Sequence, residues 1–547
     1  MLPIVAFNYL VIAIPVTVVL VFAEILLPKK ISITVEENTN ETTKKEKSKF
    51  YIPILILCML LLFVGMLCFF AAEWYKSVYG DVGFDSILYT LLSDLGGVES
   101  DLIMKFVKDA LLPAMLLTVF VGLALFATVN RSLFLHIGKK FKIKIYPFPK
   151  ILSVICALSL TATLLLSAAI KVNLPDFINY MTQQTTIFQD MYVDPSTANI
   201  TFPEQKRNLI YIYLESMETT FLPEELDGGN DVNPIPELYE LALENTNFSY
   251  NDSVGGFTSL SGGTWTIGAL VSHTSGIPLK TPLNIDRNSY GQDTFLPGVT
   301  SLSNILHKNG YYQALMVGSD ANFGGRKQYY QQHGTDKIYD LYTAQADGIV
   351  PEGYYVWWGM EDSYLFEYAK QELTKISKQE QPFAFTMLTV DTHHIGGYVC
   401  DYCGTEYPEQ YENVLACSSK QVTEFVSWIQ QQDFYDNTTI IICGDHPTMD
   451  YDYIARNIPE DYQRKVYNCF INSLASTDNT KNREFSSLDM FPSTLAAIGC
   501  TIEGDRLGLG TNLFSSSPTL CEELGTDEFS KELAKNSDYY TKNFFFE

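Results

Sequence analysis

The stretch SLSGGTWTIGAL, residues 259–270, sets two glycines before a threonine and then begins a helical pattern. Glycines there let the backbone approach another group closely, and the free N–H groups of a new helix favour an anion. Thr264 is therefore a candidate nucleophile, although Gly-Gly-Thr before a helix also reads as a loop and a cap. A hydroxyl at its ordinary pKa is a weak nucleophile and needs an ion or a base beside it. Residues able to help recur directly after apolar runs. Glu215 follows NLIYIYL, Asp391 and His393 follow PFAFTMLTV, and Asp445 and His446 follow TTIIICG. Each alone also reads as a helix cap or turn residue; three such ends point to one metal site. Carboxylate oxygens with an imidazole nitrogen suit Mn²⁺ or Zn²⁺ better than Ca²⁺. Glu215, Asp445 and His446 leave a position for a reacting oxygen, and Thr264 is expected to fill it, its pKa lowered by the ion.

The elements that must position these residues alternate. Strand-length runs at 208–214, 311–318, 382–390, 438–444 and 466–472 are β-branched and aromatic. Between and after them, ALVSHTSG, TSLSNILHKNG, SYLFEYAKQELTKI, SKQVTEFVSWIQQQ and LDMFPSTLAAIG have helical spacing. Such alternation predicts an α/β domain with a largely parallel central sheet flanked by helices. In such sheets ligands sit at the carboxyl ends of the strands, where Glu215, Asp391, His393, Asp445 and His446 fall.

Ahead of this domain lie four apolar stretches, roughly 2–27, 51–72, 110–129 and 151–170, each long enough to cross a bilayer as a helix. The first is not expected to be a signal peptide, lacking a positive n-region and a cleavage site. The connections between spans one and two, with six lysines, and between spans three and four are basic, whereas the connection between spans two and three is acidic. Basic loops stay in the cytoplasm. The N-terminus, the acidic loop with its helical DSILYTLLSDL, and everything after residue 174 are then expected outside. The expected organisation is a membrane domain over 1–172, a juxtamembrane linker with a helix over 173–205, and an extracytoplasmic catalytic domain over 206–547. Residues 175–547 hold 21 Lys+Arg and 51 Asp+Glu, the chain totals of 37 and 63 less the 16 and 12 that precede them. That surface disfavours nucleic acid, and no basic stripe with interleaved aromatics occurs.

Of ten cysteines, seven lie after the spans. Cys400 and Cys403 form a C-x-x-C with Cys417 nearby. A zinc knuckle needs a fourth ligand and no second C-x-x-C follows, so a local disulfide is expected outside the membrane. The odd number leaves at least one thiol, with Cys443 the candidate for a buried one.

The motifs NLIYIYLESMETTF, SLSGGTWTIGALVSHTSGIPL, FGGRKQYYQQHG, TVDTHH, IICGDH and DRLGLGTNLFS resemble, in order, those of the phosphoglycerol transferases of the alkaline phosphatase/sulfatase superfamily. The relatives are lipoteichoic acid synthase and, more closely, the phosphoglycerol transferase that decorates periplasmic glucans. The resemblance implies Glu215, Asp445 and His446 as metal ligands with Thr264 as both ligand and nucleophile. It implies His393, rather than His394, beside the substrate phosphoglycerol and Arg326 on its phosphate. Two positions depart from the synthases: Gly324 stands where they carry tryptophan and Val317 where they carry histidine, so the glycerol pocket differs. Sulfatases use C-x-P-x-R, which is absent here.

The resemblance further implies a double displacement at a cell membrane. Thr264 takes glycerol phosphate from phosphatidylglycerol, and a glycan or the end of a glycerolphosphate polymer then accepts it. The cofactor is a divalent metal, Mn²⁺ first and Zn²⁺ or Mg²⁺ next. Phosphoethanolamine transfer, phosphoester hydrolysis and a non-catalytic receptor are the rival readings. Aromatic GYY and WW at 353–358 are candidates to line a glycan site, against ordinary packing.

Overall fold

The computed structural model describes residues 31–37, 44–79, 89, 104–129, 131–137, 141–147, 150–281 and 294–546. Two compact units result, Met1–Lys76 with Val98–Leu174 and Ser77–Gly97 with Pro175–Glu547. Among the described residues, three helices are long and apolar enough to cross a membrane: Pro53–Val78, Met104–Leu123 and Val154–Lys171. Their outward faces carry Leu60, Phe120 and Leu166, each more than half exposed, which suits a hydrocarbon surrounding. The span expected at 2–27 lies outside the described residues, as does DSILYTLLSDL apart from Tyr89. The basic connections contain strands, Ile31–Glu37, Arg131–Ile137 and Phe141–Pro147, paired antiparallel in that order. ISITVEE and FKIKIYP alternate with the period of a strand, a pattern hidden under their charge.

Among the described residues, the central sheet of the second unit has seven strands. In chain order they are β1 (Asn208–Leu214), β2 (Gly256–Phe257), β3 (Tyr312–Val317), β4 (Lys337–Tyr339), β5 (Phe383–Leu388), β6 (Thr438–Gly444) and β7 (Val466–Ile471). Their order across the sheet is β2-β7-β6-β1-β5-β3-β4. The five from β6 to β4 run parallel, and β7 lies antiparallel to both β6 and β2. The expected strands are thus present with ends within two residues. The additions, β2 and β4, have two and three residues and no readable period.

Helices cover both faces, as a parallel sheet demands. Along β1, Leu209, Tyr211 and Tyr213 enter one core with α1 (Thr266–Ser275), while Ile210, Ile212 and Leu214 enter the other with α3 (Asp362–Ile376) and α4 (Gln410–Gln430). A further helix, α2 (Arg326–Gln332), starts beyond β3. Residues 175–205 fold with this unit: Tyr180 donates to the Thr281 carbonyl at 2.9 Å, and Phe188 packs edge-on against Tyr540 and Phe544. Within the expected linker lie helices Leu174–Thr182 and Ile187–Met191.

Candidate active site

β1 and β6 are neighbours in parallel register, Leu214 opposite Gly444. The next residue of each strand is therefore Glu215 and Asp445, side by side at the carboxyl edge, with His446 following. All three are at least 98 % buried. One donor atom from each lies within 4.8 Å of the others. His446 Nε2 is 3.4 Å from Asp445 Oδ2 and 3.6 Å from Glu215 Oε1. Asp445 Oδ1 accepts from the Ser216 and His446 amides, at 2.9 and 2.8 Å. Its Oδ2 is buried with no hydrogen-bond partner. A buried carboxylate oxygen left without a donor, facing a second carboxylate and an imidazole, fits a divalent cation.

The electrostatics agree. Burial pushes Glu215 up, but His393, His446 and the Ser216 hydroxyl outweigh it and hold the carboxyl below its ordinary range. Burial and the neighbouring Glu215 charge raise Asp445. Burial alone would lower His446; Asp445 and Glu215 reverse this and raise it. Two acids and one base, sharing too little positive charge in a dry pocket, are the setting a cation relieves.

The threonine brought to this cluster is Thr266. Its Oγ lies 3.3 Å from His446 Nε2 and 3.5 Å from Glu215 Oε2. Thr264 Oγ is buried without a partner and is not among the groups lining the adjoining cleft, whereas Thr266 is. The hydroxyl position assigned to Thr264 from the sequence thus belongs to Thr266, two residues on. The helix starts later than Gly-Gly-Thr suggests: its N-cap is Trp265, in an extended conformation, and Thr266 is the first helical residue. The hydroxyl and the unpaired first-turn N–H groups of α1 share one end of the helix.

The two glycines ahead also act differently from expectation. Gly262 has φ +82°, and a Cβ there would lie 2.5 Å from Pro278 Cβ and 2.9 Å from the Leu279 carbonyl. The Leu279 amide donates to the Gly262 carbonyl at 2.9 Å. The close approach is to the chain itself, four residues ahead of the first residue of α1.

A small cleft lies beside Thr266. Glu215, Ser319, Phe323, Arg326, Trp358 and His393 contribute to its walls. Arg326, 5 % exposed, donates from Nε to the Phe323 carbonyl (3.0 Å) and from Nη2 to Ser319 Oγ (2.9 Å) and the Asp320 carbonyl (2.7 Å). Among the described residues these three bonds use Nε and Nη2 and leave Nη1 without one. Burial lowers its pKa, while Glu215 and Asp320 act the other way. Gly324 at φ +65° makes the turn that delivers Arg326 to the start of α2, a conformation a tryptophan would resist. The cleft obtains an indole from elsewhere: Trp358 lies 4.4 Å from the His393 ring and 5.6 Å from Phe323, centroid to centroid. Tyr89 Oη donates to the Gly324 carbonyl at 2.6 Å and its ring leans on Trp265. Val317 points into the core at the end of β3.

His393 Nδ1 lies 2.8 Å from the His394 carbonyl, which only accepts, so Nδ1 carries the proton and Nε2 is bare in the neutral ring. Burial lowers its pKa ahead of the opposing pull of Glu215, favouring that neutral form. Asp391 stands apart from the metal cluster: its Oδ1 accepts from the Asp362 amide, and Asp362 in turn accepts from the Val390 and Asp391 amides. It fastens the end of β5 to the start of α3. Of the cysteines, none is in a disulfide among the described residues. The pairing expected at Cys400 and Cys403 is replaced by a triangle with Cys417, each outer sulfur more than 3.5 Å from Cys400.

A family model described as Sulfatase matches residues 207–500. Phosphoglycerol transferase I of Xanthomonas campestris pv. campestris (strain B100) is 33 % identical over 261 residues, 46 % of this chain and 35 % of that one. The chain thus spans about a third of the length of the curated relatives it matches. Among solved structures, lipoteichoic acid synthase LtaP from Listeria monocytogenes is 20 % identical, with TM-score 0.45 over 60 % of this chain and 80 % of that one. Lipooligosaccharide phosphoethanolamine transferase A from Neisseria meningitidis is 12 % identical, with TM-score 0.45 over 83 % and 86 %.

Proposed function

The chain belongs to the sulfatase family, and from that membership we propose that it is a membrane-anchored, divalent-metal-dependent phosphoglycerol transferase. Glycerol phosphate moves from phosphatidylglycerol to an extracytoplasmic glycan or glycerolphosphate polymer through a covalent threonine intermediate, with Thr266 as the nucleophile. The observation that carries this reading is the Thr266 hydroxyl within 3.5 Å of both Glu215 and His446 at the first turn of α1. The match to phosphoglycerol transferase I supports the head group, and three apolar helices ahead of the domain support a donor drawn from the bilayer.

Glu215, Asp445, His446 and Thr266 would hold the metal, Mn²⁺ by preference. Bound there, it would make the hydroxyl more acidic and offset phosphate charge. The rest falls to the chain. Arg326 Nη1 orients the phosphate, its planar fork fixed by three bonds to protein oxygens. The free N–H groups of α1 face the same charge. Thr266 Oγ bonds to phosphorus as the bond to the diacylglycerol oxygen breaks, and the threonine's proton ends on that oxygen. In the second half the acceptor hydroxyl bonds to phosphorus, the Thr266–phosphorus bond breaks and the acceptor's proton returns to Thr266. Neutral His393, with Nε2 bare, is the relay for both protons.

The test is intact-mass analysis of the full chain in detergent with phosphatidylglycerol and Mn²⁺. A gain of one phosphoglycerol, mapped to the peptide of α1 and lost in Thr266→Ala, is the expected result. Diacylglycerol release without acceptor dependence would mean hydrolysis. An adduct formed only from phosphatidylethanolamine would replace the head group.

A further inference from the structure

The connection from β5 to α4, residues 389–409, carries His393 near its start and Cys400 and Cys403 near its end. Cys417 sits on the second turn of α4. Cys400 Sγ is 3.7 Å from Cys403 Sγ and 3.6 Å from Cys417 Sγ, and all three sulfurs lie within 4.8 Å of one another. We propose that Cys400, Cys403 and Cys417 form a second metal site, a three-thiolate site for a zinc-class d¹⁰ ion, separate from the Glu215/Asp445/His446 cluster.

Geometry favours an ion over a disulfide. A disulfide needs two sulfurs about 2.0 Å apart and leaves the third behind. Thiolates sharing a tetrahedral ion at about 2.3 Å stand about 3.8 Å from each other, close to the edges observed. The backbone is already shaped for this: the Cys403 amide donates to the Cys400 carbonyl at 3.1 Å, the tight turn of a C-x-x-C that turns both sulfurs to one side. Cys400 and Cys417 are buried and Cys403 is half-buried, so one edge of the triangle opens to solvent as an entry path and a fourth position for water. An outer support is present as well. The Gln421 amide, one turn along α4, reaches Cys417 Sγ at 3.3 Å and Cys400 Sγ at 4.0 Å. Hydrogen bonds of this kind orient first ligands and moderate their charge.

The ion would clamp the loop to α4. The loop has other ties as well: the Tyr398 amide to the Asp391 carbonyl (2.7 Å), the Gly396 amide to Asp450 Oδ2 (2.7 Å), and, from α4 itself, Gln410 Nε2 to the Gly396 carbonyl (3.1 Å) and Tyr411 Oη to the Thr392 carbonyl (3.0 Å). His393 lies inside the segment closed by the Asp391–Tyr398 tie, so the clamp would add a hold on the stretch that presents its ring.

The experiment uses the full chain isolated in detergent without reductant or chelator. Metal content per chain is measured for wild type, Glu215→Gln and Cys417→Ser, and denatured protein is alkylated and peptide-mapped. Cobalt is then exchanged in. The expected result is one equivalent of zinc retained in Glu215→Gln and lost in Cys417→Ser, alkylation of each of Cys400, Cys403 and Cys417, and a thiolate-to-cobalt charge-transfer band in wild type. Oxygen and nitrogen donors at the other site cannot give that band, so the readout survives a poorly folding cysteine variant. A linked pair among the three cysteines overturns the proposal, as do three free thiols with neither zinc nor a cobalt band.

Discussion

Replacing each of two threonines by valine separates a nucleophile from a neighbour that only resembles one. Valine keeps the shape of threonine and deletes the hydroxyl. At Thr266 that hydroxyl is within 3.5 Å of Glu215 and His446. Its loss removes the covalent route, and turnover with phosphatidylglycerol and Mn²⁺ should fall by at least about 10³-fold, or about 4 kcal/mol of transition-state stabilisation. At Thr264 the hydroxyl is buried and unpartnered. An unsatisfied buried hydroxyl costs about 1–3 kcal/mol, so Thr264→Val should keep activity within about threefold and gain about 1 kcal/mol of stability. In a domain of this size that is a Tm rise of about 1–3 °C. The assay is release of labelled diacylglycerol beside thermal unfolding of the same preparations. An inactive Thr264→Val with a competent Thr266→Val would refute the assignment outright.

Arg326→Lys keeps the charge but not the fork that bonds Phe323, Ser319 and Asp320. It should lower kcat/KM by about 10²-fold, and a loss under threefold in steady-state kinetics would remove the phosphate role. Trp358→Ala takes away the ring against His393; a ring pair of about 0.5–1.5 kcal/mol should appear as a two- to tenfold fall in kcat, and a change confined to KM would place Trp358 on the acceptor instead. Metal affinity should climb as pH rises through the imidazole's titration, which lies above the ordinary histidine value. Although burial pulls the other way, Asp445 and Glu215 raise the His446 pKa, so below that pKa a proton occupies the nitrogen the ion needs. Titration calorimetry with Mn²⁺ that shows a pH-independent affinity would exclude His446 as a ligand.

How much was legible in the sequence depends on what kept each feature local. NLIYIYL and TTIIICG are buried on both faces, so their apolar runs end where the strands end, and Glu215 and Asp445 follow directly. One register, Leu214 beside Gly444, then brings them together. Thr266 was concealed because Ser, Thr, Asp and Asn are the usual N-caps, which points to Thr264; here the cap is Trp265, held by contacts with residues far along the chain. Trp358 stood out only as one of the aromatics at 353–358; its place against the His393 ring had no local signal, because it depends on how the chain between β4 and α3 folds. The cysteine triangle needed α4 to start nine residues earlier than its apolar spacing suggests, at Gln410 rather than Ser419, which carries Cys417 onto the helix.

The cause of that late helix start is itself open to test at Gly262. Its φ of +82° lies where an L-residue pays about 1–2 kcal/mol. A methyl there would also press on Pro278 Cβ at 2.5 Å and the Leu279 carbonyl at 2.9 Å, both tied to the segment following α1. Backbone cannot yield as a flexible side chain does, so Gly262→Ala should cost at least about 2 kcal/mol and lower Tm by several degrees. If the Gly262–Leu279 contact sets the first turn of α1, the same variant should also lose kcat, because Thr266 moves relative to Glu215 and His446, which follow β1 and β6. Metal binding through Glu215, Asp445 and His446 should then weaken less than turnover. A stable Gly262→Ala with unchanged kcat would show that the glycine is dispensable and that Trp265 alone fixes the helix start. A destabilised variant with full kcat would uncouple the contact from the position of the hydroxyl.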